Sequence, residues 1–391
     1  MIMQDTRRDF PVLSELTYLT TASVGLVPRP VLAAAQEFER DLADRGTTGF
    51  DEATELAVYD TARNAAARLL NAPAHTIALA SSMTEALCQV AWWLKPSAPA
   101  NVVSTDVDFP SNTYPWFRIA EETGLDVRLV PVADDPLGFD VDRVARYVDH
   151  NTAAISISHV QFGTGHRLDL RALADLAHAH DALLIVDATQ SAGQVPLDVA
   201  ADDVDVLITG SYKWLCSTFG AALCYLRPEL WERFNPPLVG WRSAPDAYAL
   251  HAHWQGLAPD ARRMEFSTMS YTATVALGAA VDYVLALDPE TIRKHNLALT
   301  RRLMTGLTGL GAELITPDRD ELRAGTVTAR FPGHNGEAVA AEIIERGVIV
   351  SPRAGGTRYS AHFYNTEDDI DTALNTTADV LAAMRAMRAT R

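Results

Sequence analysis

The chain has 391 residues, of which 48% are hydrophobic and 21% are charged, and its formal net charge at neutral pH is −17. This length allows one large domain and a smaller one, with the composition of an ordinary soluble enzyme. The negative charge argues against nucleic acid or an anionic membrane as the main partner, because both require a basic face. It does not exclude a small anionic ligand, which a few local cations and amides can bind.

The chain has three cysteines, Cys88, Cys216 and Cys224. Their spacing is not that of a metal site, and an odd number cannot form a full set of disulfides, so free thiols in a reducing compartment are expected. The amino terminus has no apolar stretch after its charged residues, and no apolar run approaches the roughly 20 residues of a membrane span. The sequence therefore predicts a cytoplasmic protein.

From about residue 30 to residue 226, short apolar runs alternate with segments of helical periodicity. The predicted strands are 76–81, 101–105, 125–130, 153–158, 182–187, 204–209 and 220–226. The predicted helices between them are 84–94, 113–122, 140–149 and 169–180. Alternation of this kind indicates a mostly parallel sheet that is covered by helices on both faces.

After a looser stretch at 235–260, the pattern changes near residue 270. Helices are predicted at 271–286, 289–309, 336–346 and 366–388, and strands at 312–315, 326–331 and 348–350. These elements indicate a smaller α+β unit. The chain is therefore divided into an amino-terminal segment (1–20) that packs on the small domain, a large domain (21–270) and a small carboxyl-terminal domain (271–391).

Asp187 and Lys213 each follow a run of apolar residues that is predicted to be a buried strand. Ligands of such sheets bind at the carboxyl ends of the strands. There, a lysine can form a Schiff base with the aldehyde of pyridoxal phosphate, and a carboxylate can keep its pyridine nitrogen protonated. A turn carboxylate and a solvated lysine are the alternative. However, Lys213 lies between Tyr212 and Trp214, where desolvation would lower its pKa and favour the neutral amine.

Ser82 and Glu85 form a capping-box pattern at the start of a helix that follows a strand. The free amides of this helix terminus and the helix dipole could hold a phosphate. An ordinary capped helix is the alternative, but the position two strand–helix units before Asp187 favours the phosphate. The hydroxyl of Tyr212 could also reach the phosphate, or the ring could simply pack.

The stretch 108–116 is predicted to be a loop, because two prolines and an asparagine interrupt it. Within it, Phe109 could stack on a cofactor ring or cover the core. Arg358 is a candidate for bidentate binding of a substrate carboxylate, with an exposed arginine in a ribbon as the alternative.

Two other motifs do not support a different chemistry. The segment 163–168 lacks the last glycine of a dinucleotide-binding fingerprint, which disfavours a nicotinamide-dependent oxidoreductase. His251 and His253 have no third ligand nearby in the pattern, so no metal site is predicted.

Together, these motifs resemble the class V aminotransferases, the pyridoxal-phosphate family that includes cysteine desulfurases, selenocysteine lyase, kynureninase and isopenicillin-N-epimerase-like enzymes. The resemblance extends from Tyr18 to Thr366, nearly the whole chain. It implies the α/β fold of a fold-type I pyridoxal-phosphate-dependent transferase, with a mostly parallel seven-stranded sheet in the large domain. It also implies pyridoxal 5′-phosphate as the cofactor.

The resemblance further implies roles for individual residues in this sequence. The expected contacts are Lys213 with the cofactor aldehyde, Asp187 with the pyridine nitrogen, Gln190 near the ring hydroxyl, Phe109 on the ring face, and Ser82, Met83, Thr84 and Tyr212 around the phosphate. Thr268 matches a threonine that reaches the phosphate of the neighbouring subunit, which implies an obligate homodimer. Arg358 matches the arginine that binds the substrate carboxylate. Trp241, Arg242 and His362 are candidate walls of the substrate pocket, each with a purely structural role as an equal alternative.

The sequence also departs from the family pattern. Residues 351–357 are predicted to be a short loop, and this loop contains no cysteine where desulfurases carry their nucleophile, so persulfide transfer of the desulfurase type is not expected. The family's Asn-Ala-Ala element reads Thr21-Ala22-Ser23, and its ring-hydroxyl asparagine has no clear match near Gln161 and Phe162. Both changes indicate an altered substrate pocket.

The expected function is that of a pyridoxal-phosphate enzyme acting on an amino acid through an external aldimine and a quinonoid, with Lys213 moving the α-proton. β-Elimination of the carbon–sulfur lyase type, which gives a keto acid, ammonia and a thiol, is preferred. Transamination, epimerisation and decarboxylating deamination use the same residues and stay open. A catalytically inactive scaffold is the alternative from another class.

Overall fold

The structure is a computed structural model that describes residues 3–389, with the side chains of residues 5–387. Its helices are α1 (Met3–Thr6), α2 (Arg29–Arg45), α3 (Glu52–Leu70), α4 (Met83–Leu94), α5 (Pro110–Thr123), α6 (Val141–Ala145), α7 (Leu170–His178), α8 (Tyr271–Leu287), α9 (Pro289–Gly309), α10 (Gly336–Ile344) and α11 (Glu367–Ala389). Its strands are β1 (Thr17–Tyr18), β2 (Ile77–Ala80), β3 (Asn101–Thr105), β4 (Asp126–Val130), β5 (Thr152–Ser158), β6 (Leu183–Asp187), β7 (Val206–Gly210), β8 (Ala222–Leu226), β9 (Glu313–Leu314), β10 (Thr326–Arg330), β11 (Val348–Ile349), β12 (Ser351–Arg353) and β13 (Gly356–Ser360).

The centre of the molecule is a seven-stranded sheet with the order β2-β8-β7-β6-β5-β3-β4. Its strands are parallel to their neighbours except β8, which runs antiparallel to both β2 and β7. The strands β6 and β7 are buried along their whole length, which explains why they are continuous apolar runs. The predicted mostly parallel seven-stranded sheet is confirmed, and each predicted strand lies within two residues of an observed one.

Helices cover both faces of this sheet. On one face, α3, α7 and α8 contribute Tyr59, Leu173 and Leu277 to the largest core cluster. On the other face, α4 and α5 contribute Leu87 and Trp116 to a second cluster. The sequence analysis named no separate helices for α2 and α3, although both pack against α8.

A smaller antiparallel sheet with the order β12-β13-β10-β9 lies in the carboxyl-terminal part and packs with α9, α10 and α11 around a core of its own. Its strands β12 and β13 form a hairpin whose two-residue turn, Ala354 and Gly355, has positive φ angles of 49° and 74°. The sequence analysis treated this stretch as a loop, which was wrong. Pro352 is tolerated because β12 is an edge strand, and the two glycines hid the strand pattern.

The amino-terminal segment crosses from the small sheet region to the central sheet. β1 pairs in parallel with β11, and Ser360 donates its N–H to the carbonyl of Leu19 at 2.7 Å. Farther along, Gly25 donates its N–H to the carbonyl of Tyr212 at 2.8 Å. A Cβ at Gly25 would lie 1.9 Å from the carbonyl oxygen of Lys213, so this close approach requires a glycine.

Two local predictions differ from the structure. The predicted loop over 108–116 was wrong from Pro110 onward, because α5 begins there and includes Pro115. Proline suits the first helical position, where its missing N–H would have no intrahelical partner. The predicted helix 140–149 is shorter, since α6 ends at Ala145.

Among residues 3–389, no single helix is long and apolar enough to cross a membrane. The consecutive helices α8 and α9 meet that length and composition only when they are taken together, and they are bent by 73° at their junction.

Candidate active site

Asp187 and Lys213 lie together at the carboxyl ends of adjacent parallel strands. Asp187 is the last residue of β6, and Lys213 follows the end of β7, its neighbour in the sheet. Both line the same cavity. The lining residues are Ser82, Met83, Thr84, Phe109, Ser111, Ser158, Phe162, Asp187, Thr189, Gln190, Tyr212 and Lys213. The structure thus brings together eight of the residues singled out in the sequence.

The amine of Lys213 is almost removed from solvent, since the residue is only 7% exposed. Burial lowers the pKa of Lys213 to about 8; the carboxylate of Asp187 opposes this shift, and the cations of Arg358 and Arg353 add to it. Its Nζ lies 5.4 Å from the ring centroid of Phe109. At pH 7, roughly a tenth of this amine is therefore unprotonated and nucleophilic.

Asp187 is buried beside this amine. Its Oδ1 accepts the backbone N–H of Thr189 at 2.8 Å. Burial raises the pKa of Asp187, and the hydrogen bonds from Thr189 and the charge of Lys213 act in the opposite direction. The carboxylate is thus costly to keep charged unless a cation faces it.

Gln190 and His362 both form hydrogen bonds with Trp214, the residue that follows Lys213. The side-chain oxygen of Gln190 accepts the indole N–H of Trp214 at 2.7 Å, and its amide nitrogen donates to the carbonyl of Ala22 at 2.9 Å. His362 contacts the carbonyl of Trp214 through Nε2 at 2.9 Å, and burial lowers the pKa of His362 to about 3. His362 therefore supports the lysine loop and does not line the cavity.

The amino terminus of α4 forms another wall of the cavity. Ser82 accepts the N–H of Glu85 on its Oγ at 3.1 Å, as a helix cap does. The carboxylate of Glu85 bonds the N–H of Ser81 and not that of Ser82, so the predicted capping box is only half formed. Within the described residues, the backbone N–H groups of Met83 and Thr84 have no hydrogen-bond acceptor.

Arg358 lies on β13 and is only 1% exposed, so the exposed arginine considered as an alternative was wrong. One terminal nitrogen donates to the carbonyl of Phe162 and the other to the hydroxyl of Ser23, both at 2.6 Å. Its Nε has no partner, and no carboxylate of the described residues forms an ion pair with it. Burial, aided by the charge of Arg353, lowers the pKa of Arg358 to about 9, so the cation persists at neutral pH.

Besides His362 and Arg358, three further candidate residues do not line this cavity within the described chain. Arg242 donates to Glu55 at 3.1 Å and lies 3.8 Å over the ring of Tyr59. Trp241 lines a different cavity, among residues of the 239–255 segment. Thr268 is not among the residues that line the cavity of Lys213.

The sequence analysis missed Arg353, Ser111 and Ser158 as neighbours of the site. Arg353 precedes the hairpin turn, and nothing in the sequence distinguishes it from an ordinary arginine next to glycines. Its relation to Arg358 follows only from strand pairing: Ser351 lies opposite Arg358, so Arg353, two residues on, shares that face.

No thiol of the described chain lies on this hairpin. Cys216 and Cys224 are buried, and burial raises the pKa of Cys216 and raises that of Cys224 to about 12. Cys88 lies on α4, and burial raises its pKa as well. None of these thiols is activated as a nucleophile.

A family model described as Aminotransferase class-V matches residues 17–373. The uncharacterized aminotransferase YcbU of Bacillus subtilis (strain 168) is 28% identical over 94% of this chain and 95% of its own length. The apo cysteine desulfurase from Thermococcus onnurineus NA1 superposes with a TM-score of 0.88 at 24% identity, over 98% of this chain and 99% of that one. The cystine C–S lyase C-DES, in complex with cysteine persulfide, gives 0.87 at 24% identity over 95% and 99% of the two chains. At this identity, the two structures establish the fold alone.

Proposed function

Because the chain belongs to the class-V aminotransferase family and is thus a pyridoxal-phosphate-dependent enzyme, we propose that it cleaves a carbon–sulfur bond in an amino acid. The products are a thiol, a keto acid and ammonia. The amino-acid part of the proposal is carried by one observation. The buried amine of Lys213 shares a cavity with Asp187, and the guanidinium of Arg358, which forms no ion pair within the described residues, lies close enough to lower the pKa of Lys213.

The residues of the cavity fit pyridoxal 5′-phosphate. The unpartnered amides of Met83 and Thr84 at a helix amino terminus suit a phosphate. Asp187, buried without a full cationic partner, suits a protonated ring nitrogen.

The proposed contacts divide among the walls of the cavity. Lys213 holds the cofactor by a bond from its Nζ to the aldehyde carbon, and Phe109 covers the ring face. The phosphate is bound by the amides of Met83 and Thr84 and by the hydroxyls of Ser82 and Tyr212. The side-chain amide of Gln190 uses its oxygen and one of its two N–H groups in hydrogen bonds. We propose that the second N–H donates to the ring hydroxyl of the cofactor.

When bound, the cofactor supplies an electron sink that stabilises negative charge on the α-carbon of the substrate. Arg358 binds the α-carboxylate and thereby fixes which bond at the α-carbon faces Lys213. Once the amino group of the substrate has taken its place on the cofactor, the free Nζ of Lys213 would take the α-proton as general base, and its lowered pKa of about 8 suits this task near neutral pH. The burial of Arg358 and Lys213 limits water around the reacting atoms.

Elimination is favoured over sulfur transfer by the hairpin β12–β13. Its turn consists of Ala354 and Gly355, so no cysteine nucleophile is available there, and β-elimination needs none. The C–S lyase C-DES shares the fold, which is consistent with this choice. Transamination is the second candidate, since it uses the same residues and the Bacillus relative is named an aminotransferase. Epimerisation and decarboxylating deamination are further candidates that rank below transamination.

We also propose that two copies complete each other's sites. Thr268 would reach the phosphate of the neighbouring subunit, since it does not line the cavity of its own chain. The segment before it exposes Leu250 and Trp254, which are 76% and 68% accessible in the single chain. Apolar side chains exposed to this extent suit a protein interface. Trp241 and Arg242 stay candidates for the substrate pocket in such a dimer.

We also propose that the protein functions in a reducing compartment, the cytoplasm, because its cysteines are unpaired. All three cysteines, Cys88, Cys216 and Cys224, are free in the structure. Unpaired cysteines are typical of proteins that function where thiols stay reduced.

The function is tested with purified holoenzyme and a panel of S-substituted cysteines and ordinary amino acids. Thiol, keto acid and ammonia in equal amounts without an added keto acid support elimination. A keto acid that forms only when a second keto acid is supplied identifies an aminotransferase. Lys213→Ala should lose the lysine-linked absorbance band, and a wild-type protein that never acquires that band contradicts the proposed role of Lys213. If the band forms but no amino acid reacts, the inactive scaffold is the remaining explanation.

A further inference from the structure

Three hydroxyl groups form a connected cluster beside Arg358. Thr20 and Ser351 are joined through their side-chain oxygens at 2.6 Å, and Ser351 and Ser23 at 3.0 Å. Ser23 then accepts a hydrogen bond from Arg358 at 2.6 Å. Thr20 and Ser351 are buried and Ser23 is half-buried, so the cluster reaches from the interior to the side of the guanidinium.

The cluster holds Arg358 without neutralising it. A guanidinium has five N–H donors, and here the partners of its two terminal nitrogens are a carbonyl and a hydroxyl. A carboxylate in the place of Ser23 would form an ion pair and compete with a substrate. A hydroxyl fixes the direction of the guanidinium plane, leaves its charge without a counter-ion, and leaves the buried Nε without a partner.

Ser23 is well suited to this task because its own position is set from both sides. Ser351 lies directly opposite Arg358 in the β12–β13 pair, so the two side chains share a face of the hairpin. Ser23 comes from the amino-terminal segment, 335 residues away in the sequence, and it closes the arrangement against Ser351.

We propose that Ser23 is a positioning residue for Arg358, and that its hydroxyl sets the affinity of the enzyme for the carboxylate of its substrate. Ser351 and Thr20 hold Ser23 in place. The inference rests on the proposed function, in which Arg358 binds the α-carboxylate. It adds a residue on which the strength and orientation of that binding depend.

The test compares Ser23→Ala, Ser23→Thr and the control Ser14→Ala in the holoenzyme. Ser14 has an exposed hydroxyl that bonds the carbonyl of Pro11, away from the site. Ser23→Ala should raise KM for the amino-acid substrate about tenfold, the usual effect of losing a hydrogen bond to a charged group, with kcat within about twofold. Ser23→Thr keeps the hydroxyl and should restore KM, and Ser14→Ala should change neither constant.

A second measurement does not depend on turnover. Propionate is titrated into the holoenzyme while the absorbance of the bound cofactor is followed, and its dissociation constant should rise about tenfold in Ser23→Ala. Ser351→Ala should weaken propionate binding by a smaller factor, because it loosens Ser23 without removing it. If Ser23→Ala does not fold, the dissociation constants of propionate for Ser351→Ala and Ser23→Thr are compared with that of the wild type instead.

The variant Arg358→Gln separates the two proposals. If it weakens propionate and substrate binding while Ser23→Ala changes neither, the inference about Ser23 is overturned and the proposed function stands. If Arg358→Gln also changes neither, the carboxylate role of Arg358 is wrong, and the inference about Ser23 falls with it. A fall in kcat at constant KM in Ser23→Ala would also overturn the inference, because it would place Ser23 in the chemical step.

Discussion

The charge beside Lys213 predicts an unusual response to the removal of Asp187. Burial lowers the pKa of Lys213 to about 8, and Asp187 is the group that opposes this shift. The variant Asp187→Asn keeps the shape of the side chain and removes its charge. The pKa of Lys213 should therefore fall further, because the ammonium form loses its anionic neighbour.

The size of the effect follows from the two pKa values. An opposite charge within a few ångströms typically shifts a pKa by about 1–3 units, and one unit is taken here. With a pKa of about 8, roughly a tenth of Lys213 is neutral at pH 7, and with a pKa of about 7 the neutral fraction is about one half. The variant should thus take up the cofactor about fivefold faster at pH 7, although it loses the partner of the ring nitrogen and with it most activity.

The assay mixes the apoprotein with pyridoxal phosphate between pH 6 and 9.5 and follows the lysine-linked absorbance band. In the wild type the rate should rise through pH 8 as the amine loses its proton, and in Asp187→Asn the rise should come at lower pH. Arg353→Gln is the matched variant, because it removes a cation that lowers the pKa of Lys213, and its profile should move to higher pH by a smaller amount. An unchanged profile in Asp187→Asn, or one moved to higher pH, would refute the electrostatic reasoning.

Three further predictions concern the frame of the site. Gly25→Ala places a Cβ against the carbonyl of Lys213, so the lysine loop must move, and cofactor affinity measured by absorbance should drop sharply. Glu265→Ala removes the buried partner of Arg63 at 2.6 Å and the acceptor of the Leu79 N–H, leaves Arg63 with the exposed Asp60, and should cost about 3 kcal/mol in urea unfolding. Thr268→Ala should weaken cofactor binding about tenfold through the neighbouring subunit, and a monomeric wild type by sedimentation would contradict that role.

Two matched variants serve as controls for these changes. Gly309→Ala adds a Cβ where no heavy atom lies within 4 Å, so cofactor affinity should be unaltered. Glu121→Ala removes an exposed partner of Arg118, and its effect on unfolding should stay below about 1 kcal/mol. If either control matches its test variant, the assigned cause is wrong.

The cofactor cavity could be predicted from the sequence because its chemistry is local. Asp187 and Lys213 follow apolar strands, and parallel strands place their carboxyl ends at one edge. The surroundings of Arg358 could not be predicted in the same way. Pro352 and two adjacent glycines hid the β12–β13 hairpin, and only strand pairing shows that Arg358 is buried and faces Ser351.

The amino-terminal segment connects two parts of the site, the loop that carries Lys213 and the guanidinium of Arg358. Gly25 bonds the backbone next to Lys213, and Ser23 bonds Arg358, within three residues of the same segment. A shift of this segment would therefore move the lysine loop and the guanidinium together. Such coupling has no signal in local sequence, because it joins residues that lie hundreds of positions apart.

Three cations lie close together around the site, although the chain has a net charge of −17. Lys213, Arg353 and Arg358 lie close enough that the cation of Arg353 lowers the pKa of the other two. Among the described residues that line the cavity, Asp187 supplies the carboxylate, and the groups that hold Arg358 are neutral. Lys213 and Arg358 are buried whereas Arg353 is exposed, and buried charges are screened less than surface charges. In the proposed function, the neutral support of Arg358 would let a negatively charged protein retain affinity for a carboxylate.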